Sequence, residues 1–391
     1  MKIGIVGTNF SNGNKGVVAL GISAIKIIED VANENNLDVS YCIFIKGNPA
    51  NNNEAFLILK KYLGIDKSRI TICNYNAKKI HSLYRLSKEV GKCKFVMDYT
   101  EGDSFTDIYG MKRLMLHSII KYFEIKGNNN LVLAPQTYGP FKKNISKKIS
   151  TWILCKAKLV ISRDKLSVEE INKLTKKINV IVATDVAFEL PYNRNDKSVS
   201  EKTKIGINIS GLLWNGGYSG NNQFDLKLNY REYCENIIEM LKKDGSYEIH
   251  LIPHVIAESK TENDYKVCKE LCEKYKGVIL ADKFKDPIEA KNYIANMNVL
   301  IGARMHATIA AVSSGVLAIP IAYSRKFKGL YENIGYNHII DARKVETNNA
   351  INLTMSLIRN VDKYNNDLVR TKEIVREKIK ILKDELLKLM I

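Results

Sequence analysis

The chain has 391 residues, of which 45% are hydrophobic and 26% are charged, a composition typical of a folded globular protein with two or three domains. Lysine and arginine number 60 against 42 acidic residues, and the net charge of +18 favours anionic partners, although a Lys- and Asn-rich composition would produce the same excess on a solvated face. The 7 scattered cysteines argue against a disulfide framework and a zinc site, and no apolar stretch is long enough to span a membrane. We therefore expect a cytoplasmic protein without a cleavable signal.

The first half of the chain alternates apolar strands with amphipathic helices. Strands are predicted at 3–7, 40–45, 70–73, 94–98, 130–134, 158–162 and 179–183. Such alternation is typical of parallel strands with helices on both faces of the sheet. The polar, core-poor stretch 192–203 that follows is predicted to be a linker.

The second half repeats the pattern. Strands are predicted at 204–209, 247–252, 278–280, 298–301 and 316–321, and helices at 229–243, 262–276 and 364–391. We predict an α/β fold of two Rossmann-like domains, residues 1–195 and 204–391, that face a cleft. The last helix is expected to pack on one domain or to bridge both.

The stretch 301–320, IGARMHATIAAVSSGVLAIP, places Arg304 and His306 between a strand and a helix that Gly315 ends. Ligands bind outside the carboxyl ends of strands in an open parallel sheet. Side chains two positions apart on a regular helix point about 200° apart around the helix axis. Arg304 and His306 can therefore share a site only if the helix has barely begun. A phosphate or carboxylate could then contact Arg304 and the N–H groups of the first turn, while His306 transfers a proton near neutral pH.

Other strand ends carry polar residues with two possible roles each. In the loop 8–16, Gly13 and Gly16 allow either a close approach of backbone to ligand or a tight turn. The segment 97–110, MDYTEGDSFTDIYG, clusters carboxylates that could bind metal, act as a base, orient sugar hydroxyls or cap a helix. Within it, Asp103 and Ser104 are the candidates for a site.

Three further candidates follow strands. Gln136, in LAPQTYGPF, could contact a ligand or only belong to a turn. Arg163 suits bidentate binding of carboxylate or phosphate, or a salt bridge to Asp164 or another neighbour. His254 is either a hydrogen-bonded structural residue or an acid/base group. No metal-ligand spacing accompanies it, so we expect no metal.

In order along the chain, these segments resemble the polysaccharide pyruvyl transferase family. Residues 12–20 are similar to its N-terminal glycine loop, EGDSFTDIYG to its GGGSxxD element and PQTYGPF to its QSxGPF turn. Four further segments complete the series: SRDKLS, TDVAFELP, IPH with a later Asp, and GARMHATIAAVSSGVLAIPIAY. Each motif is weak alone, but seven in order are fairly specific.

The resemblance implies a fold like that of GT-B glycosyltransferases, phosphoenolpyruvate as donor and a sugar diol, which could be lipid-linked, as acceptor. The first domain would take the acceptor and the second the donor. Donor-holding residues of the family correspond to Arg163, Arg304, Met305 and His306, with Gly13, Asn14, Ser104 and Gln136 as further contacts. His306 is the expected acid/base, and Asp103 or His254 would activate a hydroxyl. No cofactor is expected.

The sequence departs from the family at the GGGS element, where Glu101 or its neighbour replaces the first glycine and Asp103 replaces the third, which would add negative charge. Two other functions therefore stay open: a glycosyltransferase of the same architecture that uses a nucleotide sugar, and a non-catalytic glycan-binding protein. No nucleic-acid motif is present, so we expect no nucleic-acid partner. The basic excess leaves open a peripheral contact with the inner face of the membrane, and the oligomeric state is unknown.

Overall fold

The structure, a computed structural model, describes residues 1–47, 52–128, 130–194, 202–256 and 261–391. The predicted linker at 192–203 falls largely on 195–201, outside the described residues. The described residues form an α/β fold with two parallel sheets, which confirms the predicted fold class.

The first sheet has seven strands in the order β3-β2-β1-β4-β5-β6-β7, all parallel. Every strand of this sheet was predicted to within about three residues, because each is a short apolar run. The bounds are β1 Lys2–Val6, β2 Ser40–Lys46, β3 Ile70–Tyr75, β4 Phe95–Asp98, β5 Leu131–Gln136, β6 Leu159–Ser162 and β7 Val180–Val182.

The second sheet has six parallel strands in the order β10-β9-β8-β11-β12-β13. The sequence analysis missed only its edge strand β13, whose two residues are too few to show a period. The bounds are β8 Thr203–Asn208, β9 Tyr247–Leu251, β10 Ile279–Leu280, β11 Val299–Gly302, β12 Leu317–Ala322 and β13 Ile340–Asp341.

Fourteen α-helices occur in the described residues, and most connect consecutive strands. Asn229 caps α8 through its side chain, and Gly245 ends that helix in the left-handed conformation. The helices are α1 Lys15–Glu34, α2 Asn52–Leu63, α3 Ile80–Val90, α4 Met111–Gly127, α5 Asn144–Lys156, α6 Lys165–Asn172, α7 Gly211–Trp214, α8 Tyr230–Asp244, α9 Asp264–Lys274, α10 Pro287–Ile294, α11 Met305–Ser314, α12 Arg325–Asn333, α13 Thr347–Arg359 and α14 Asn365–Met390.

The chain divides into two compact units. The first unit comprises Met1–Asn12, Leu20–Glu189 and Val375–Ile391, and the second comprises Gly13–Ala19 and Leu190–Ile374. The contiguous domains 1–195 and 204–391 stay a prediction; the two units differ from them at Gly13–Ala19, at Val375–Ile391 and in the boundary, which lies at Leu190. The short segment Gly13–Ala19 contributes to the second unit although it follows the first strand of the first unit.

Candidate active site

The predicted strand-to-helix junction lies in the second unit, between β11 and α11. Arg304 occupies the N-cap position of α11 with extended backbone, and its side chain does not cap the helix. The side chain of Asn208, at the end of β8, accepts a hydrogen bond from the backbone N–H of Arg304 at 2.9 Å. His306 is therefore the second residue of the helix, and the geometric condition for a site shared with Arg304 is met.

The guanidinium of Arg304 is held by the buried carboxylate of Asp264. Its Nη2 donates to Asp264 Oδ1 at 2.8 Å, and its Nε lies 3.2 Å from Oδ2. The third nitrogen, Nη1, approaches Glu262 Oε1 only to 3.9 Å, and the side chain is 10% exposed. Burial opposes the charge, but Asp264 outweighs it and raises the pKa of Arg304, which stays a cation with one donor group available to a ligand.

Asp264, the first residue of α9, also fixes the backbone around the site. Its carboxylate accepts hydrogen bonds from the N–H groups of Gly211 at 2.8 Å, Val255 at 2.8 Å and His254 at 3.3 Å. A buried carboxylate with this many hydrogen-bond donors around it holds those donors in fixed positions. Asp264 thus joins the segment that carries His254 to the arginine that begins α11.

The N-terminal glycine loop packs against the same residues. Asn14 forms an antiparallel bridge with Val255, and the carbonyl of Gly13 accepts a hydrogen bond from the N–H of Ile256 at 3.0 Å. A Cβ atom on Gly16 would lie 2.2 Å from Nδ1 of His306, so the imidazole contacts the bare Cα of this glycine. The structure therefore requires glycine at position 16 for close approach.

His254 is buried, with 3% of its surface exposed. Neither ring nitrogen has a hydrogen-bond partner among the described residues. Burial, followed by the nearby His306, Arg304 and Lys15, lowers the pKa of His254 well below its usual value, so the ring is neutral at pH 7. A neutral imidazole with unsatisfied nitrogens has a lone pair available for a hydrogen bond from a bound hydroxyl.

The structure thus brings Gly13, Asn14, His254, Arg304, Met305 and His306 together in the second unit. The other predicted residues, Asp103, Ser104, Gln136 and Arg163, belong to the first unit. Met305 is 6% exposed and begins α11, so its side chain is largely packed in the unit.

In the first unit, Arg163 is 1% exposed and pairs with Asp185, not with its neighbour Asp164. Its Nη1 donates to Asp185 Oδ2 at 2.6 Å, and its Nε donates to Thr137 Oγ1 at 3.0 Å. Asp164 instead caps α6 by accepting from the N–H of Ser167. The alternative of a salt bridge thus describes the observed contacts of Arg163, with a different partner.

In the segment that departs from the family pattern, the carboxylate of Glu101 is paired with a nearby cation. Glu101 adopts a φ of 56° and its carboxylate accepts from Arg113 Nη2 at 2.7 Å. The same nitrogen donates to the hydroxyl of Ser104 at 2.7 Å, and Tyr109 OH donates to Asp103 at 3.0 Å. The replacement of the first glycine therefore does not leave the lone negative charge that the sequence suggested, because Arg113 pairs with Glu101.

Gln136 lies beneath this segment and is fully buried. Its amide donates to the backbone carbonyls of Asp98 at 2.9 Å and Ala134 at 3.2 Å, which ties β5 to the end of β4. The carboxylate of Asp98 in turn accepts from the buried ammonium of Lys121 and from the N–H of Thr100 at 2.7 Å. These contacts fix the backbone that leads into the Glu101–Ser104 segment.

Sequence reasoning gave no individual role to Asp264, Asn208 or Asp185, and it did not foresee that Gly16 contacts His306. Asp264 begins a helix and Asn208 ends a strand, and both positions could have been noted because polar residues at such junctions can bond to neighbouring backbone. The partner of each became visible only from the tertiary contacts. Within the described part of the chain, no three His, Cys, Asp or Glu side chains are grouped to hold a metal ion. No helix in that part is long and apolar enough to cross a membrane.

The fold is similar to solved structures of sugar-nucleotide enzymes. UDP-GlcNAc 2-epimerase from Neisseria meningitidis, bound to UDP-GlcNAc, is 12% identical with a TM-score of 0.57, covering 99% of this chain and 100% of that one. UDP-GlcNAc 2-epimerase from Methanocaldococcus jannaschii is 11% identical with a TM-score of 0.57, covering 91% and 92%. A UDP-forming α,α-trehalose-phosphate synthase from Burkholderia vietnamiensis is 7% identical with a TM-score of 0.51, covering 100% and 99%. These TM-scores show that the chain shares a GT-B-type fold with these enzymes, and at such low identities the likeness shows the fold alone.

A search of curated proteins found no match to this sequence. The family model described as polysaccharide pyruvyl transferase matches residues 15–325, which is most of the chain and includes the second-unit segments that carry His254, Arg304 and His306. The chain therefore belongs to the polysaccharide pyruvyl transferase family, whose members are transferases that modify polysaccharides.

Proposed function

We propose that the protein transfers pyruvate from phosphoenolpyruvate to two hydroxyls of a saccharide, as a ketal, in the assembly of a cell-surface polysaccharide. The observation that carries this proposal is the group formed by Arg304, His306, His254 and Gly16 within the second unit. It supplies a fixed cation, two imidazoles and a close backbone approach at the carboxyl end of a parallel strand. The proposal includes a cytoplasmic protein and a lipid-linked acceptor.

Phosphoenolpyruvate is a small anion with a phosphate and a carboxylate, and each has a suitable partner in this group. Arg304 Nη1 can donate to a carboxylate or phosphate oxygen while Asp264 keeps the guanidinium in place. The N-terminus of α11 favours negative charge through its backbone dipoles. Lys15, whose Nζ donates to the carbonyl of Lys285 at 2.8 Å, adds a second positive charge near His254.

The reaction needs a proton donated to the enol carbon and a proton removed from each attacking hydroxyl. His306, in its protonated form, would protonate the methylene carbon as the first hydroxyl adds to the central carbon. Phosphate then leaves with the bonding electrons, and the second hydroxyl closes the ketal ring. His254 is neutral, so one of its ring nitrogens has a lone pair that can take the hydroxyl proton, while His306 acts as the acid. The roles predicted for Asp103, Ser104, Gln136 and Arg163 stay predictions.

The test is incubation of the protein with phosphoenolpyruvate and a panel of saccharide acceptors that carry free vicinal or 4,6-hydroxyl pairs. The expected result is release of inorganic phosphate together with an acceptor mass gain of one pyruvic acid less one water. His306→Ala should abolish both signals while the thermal unfolding midpoint stays near that of the wild type. Retention of full activity by this variant would remove His306 from the mechanism.

Donor identity is tested without turnover by thermal shift. A ligand stabilises the native state in proportion to the logarithm of its concentration over its Kd, so phosphoenolpyruvate at 100 times Kd should stabilise by about 2.7 kcal/mol. Arg304→Lys should lose this shift, because a lysine cannot keep the forked contact with Asp264 and a free donor together. Stabilisation by UDP-GlcNAc but not by phosphoenolpyruvate would replace the proposal with nucleotide-sugar chemistry.

A further inference from the structure

Three neighbouring helices of the first unit, α3, α4 and α5, present large apolar side chains to solvent. Tyr84 is 53% exposed, Ile119 39%, Tyr122 47%, Ile145 55% and Trp152 41%. The rings of Tyr122 and Trp152 lie 5.9 Å apart, and Tyr84 contacts the ring of Phe123 at 5.1 Å, so the three helices share a continuous surface. We call this surface the α3–α5 face.

The apolar residues lie in stripes that also carry lysines. On α4, Lys112, Met115, Ile119, Tyr122 and Lys126 fall within an arc of about 80°. The opposite side of this helix is buried and includes Lys121 and Glu124. The stripe is therefore an outward face, because the inward residues that pack on the sheet are separate from it.

On α5, the side chains of Ile145, Lys148, Trp152 and Lys156 also fall within an arc of about 80°. This helix contains no acidic residue, and the only acidic residue of α4 is the buried Glu124. The exposed charges of α4 and α5 are thus all positive. The Nζ of Lys126 lies over the Tyr84 ring at 4.8 Å, which places a cation between α3 and α4 as well.

We propose that the α3–α5 face binds an anionic lipid membrane surface. Tyrosine, tryptophan and isoleucine side chains interleaved with lysines match the two layers of such a surface, in which acyl boundary and phosphate headgroups are adjacent. Trp152 and Ile145 would enter the boundary region, and Lys148 and Lys156 would contact lipid phosphates.

Two other occupants fit the residues less well. A twofold contact with a second copy would bring lysines against lysines, because α4 and α5 expose no carboxylates to pair with them. Nucleic acid would satisfy the lysines but would leave the aliphatic side chains of Ile119 and Ile145 against phosphates and water. The membrane satisfies both chemical classes at once.

Helix α4 also contacts the segment that departs from the family pattern. Arg113, in the first turn of α4, donates to Glu101 and Ser104, whereas the stripe from Lys112 to Lys126 is exposed. A membrane-bound α4 would place this segment of the first unit near the lipid surface. The biological reason for docking, a lipid-linked acceptor, rests on the proposed function, but the binding itself does not.

The experiment is co-sedimentation of the purified full chain with vesicles of 30% phosphatidylglycerol in phosphatidylcholine, compared with phosphatidylcholine alone. Binding is expected only to the anionic vesicles and should weaken as salt is raised. Each lysine near an anionic surface contributes about fivefold in affinity, so Lys148→Glu with Lys156→Glu should weaken binding by about 25-fold or more. Trp152→Ala should weaken it by roughly tenfold through lost apolar burial.

Matched control variants carry two Lys→Glu changes, or one change of an exposed apolar residue to Ala, outside the α3–α5 face. Lys266→Glu with Lys269→Glu alters exposed lysines of α9, and Leu353→Ala shortens a side chain that is 50% exposed on α13. These controls should bind vesicles within about threefold of the wild type. Equal losses in the control and test lysine pairs would overturn the proposal, because net charge alone would then explain binding.

A spectroscopic measurement separates docking from enzymatic activity. The chain has 2 tryptophans, Trp152 and Trp214, so the Trp214→Phe variant leaves Trp152 as the only indole. Anionic vesicles should shift its emission to the blue. No shift, a shift on dimerisation without lipid, or tighter binding to single-stranded DNA than to vesicles would each refute the proposal. The vesicle experiments use no donor or acceptor, so a negative result would refute membrane binding and leave the proposed transferase reaction untouched. A negative phosphate-release assay would refute the transferase reaction and leave membrane binding untouched.

Discussion

Replacement of Gly16 by alanine should separate activity from stability. Gly16 is the second residue of α1, and its backbone is not in the left-handed region, so alanine fits the local conformation. Alanine is favoured over glycine within helices by up to about 1 kcal/mol, and less in the first turn. Displacement of the His306 ring costs about 1–3 kcal/mol, as overpacking does, and the helix preference for alanine offsets part of it, so we expect the free energy of unfolding to fall by about 2 kcal/mol at most.

The effect on His306 is much larger. The new Cβ would lie 2.2 Å from Nδ1, 2.7 Å from Cγ and 2.9 Å from Cε1 of the imidazole. Because ordinary van der Waals contact begins at 3.4 Å, the ring must retreat by about 1.2 Å, and a displacement of about 1 Å at a reacting group costs on the order of 100-fold in rate. The variant should lose about that factor in kcat for phosphate release.

The assay compares wild type, Gly16→Ala, His306→Ala and the double variant by steady-state phosphate release, together with urea unfolding of each. Gly21→Ala, in the same helix, is the matched control, since its Cβ would contact Phe10 and Thr8 at 3.1–3.2 Å and not His306. If Gly16 acts through His306, the double variant should be no slower than His306→Ala. Additive losses, or a Gly16→Ala rate within fivefold of the wild type, would refute the argument.

Three further changes probe buried charges. Asp264→Asn should lower the free energy of urea unfolding by about 3–5 kcal/mol, since it leaves Arg304 buried without its counter-charge; a loss below about 1 kcal/mol would contradict the pairing. The lowered pKa of His254 makes wild-type stability fall as pH drops below 6.5, because only the unfolded state gains the proton. In His254→Asn, the free energy of unfolding should fall by about 1.4 kcal/mol less per pH unit than in the wild type. Parallel curves of unfolding free energy against pH for the two proteins would refute the lowered pKa of His254. Burial, and then the charge of Asp98, raise the pKa of Glu124 well above 4.5, so wild-type stability should fall as pH rises above that value. In urea unfolding, the free energy of unfolding of Glu124→Gln should rise relative to that of the wild type by about 1.4 kcal/mol for each pH unit above 4.5. If the difference between the two proteins does not change with pH, Glu124 is ionised in the folded state and the prediction is wrong.

The α/β architecture follows from the sequence because both sheets are parallel and buried. Their strands are continuous apolar runs, such as the one around Ile43 in β2 and the one around Leu300 in β11. The helices between the strands are amphipathic. The hydrophobic period cannot reveal very short elements such as β13 and α7, and the helices α10, α12 and α13 were not predicted either. The junction at Arg304 was also predictable, since an apolar strand, two polar residues and a small-residue helix occur there in succession.

The partners of the site residues were not predictable from the sequence. Charged groups choose partners by distance in the folded chain, so Asp264 binds Arg304 from 40 positions away, and Arg163 pairs with Asp185 rather than with the adjacent Asp164. Neutralisation of Glu101 likewise depends on how α4 aims Arg113.

Sequence patterns were sufficient to predict the fold class, the family and the residue types of the candidate site. Tertiary structure alone decided that the N-terminal glycine loop belongs with the second unit, where Gly16 contacts His306 and Asn14 pairs with Val255. The physical reason is that hydrophobic periodicity reports each residue's own burial, whereas a contact between residues 290 positions apart depends on the path of the whole chain.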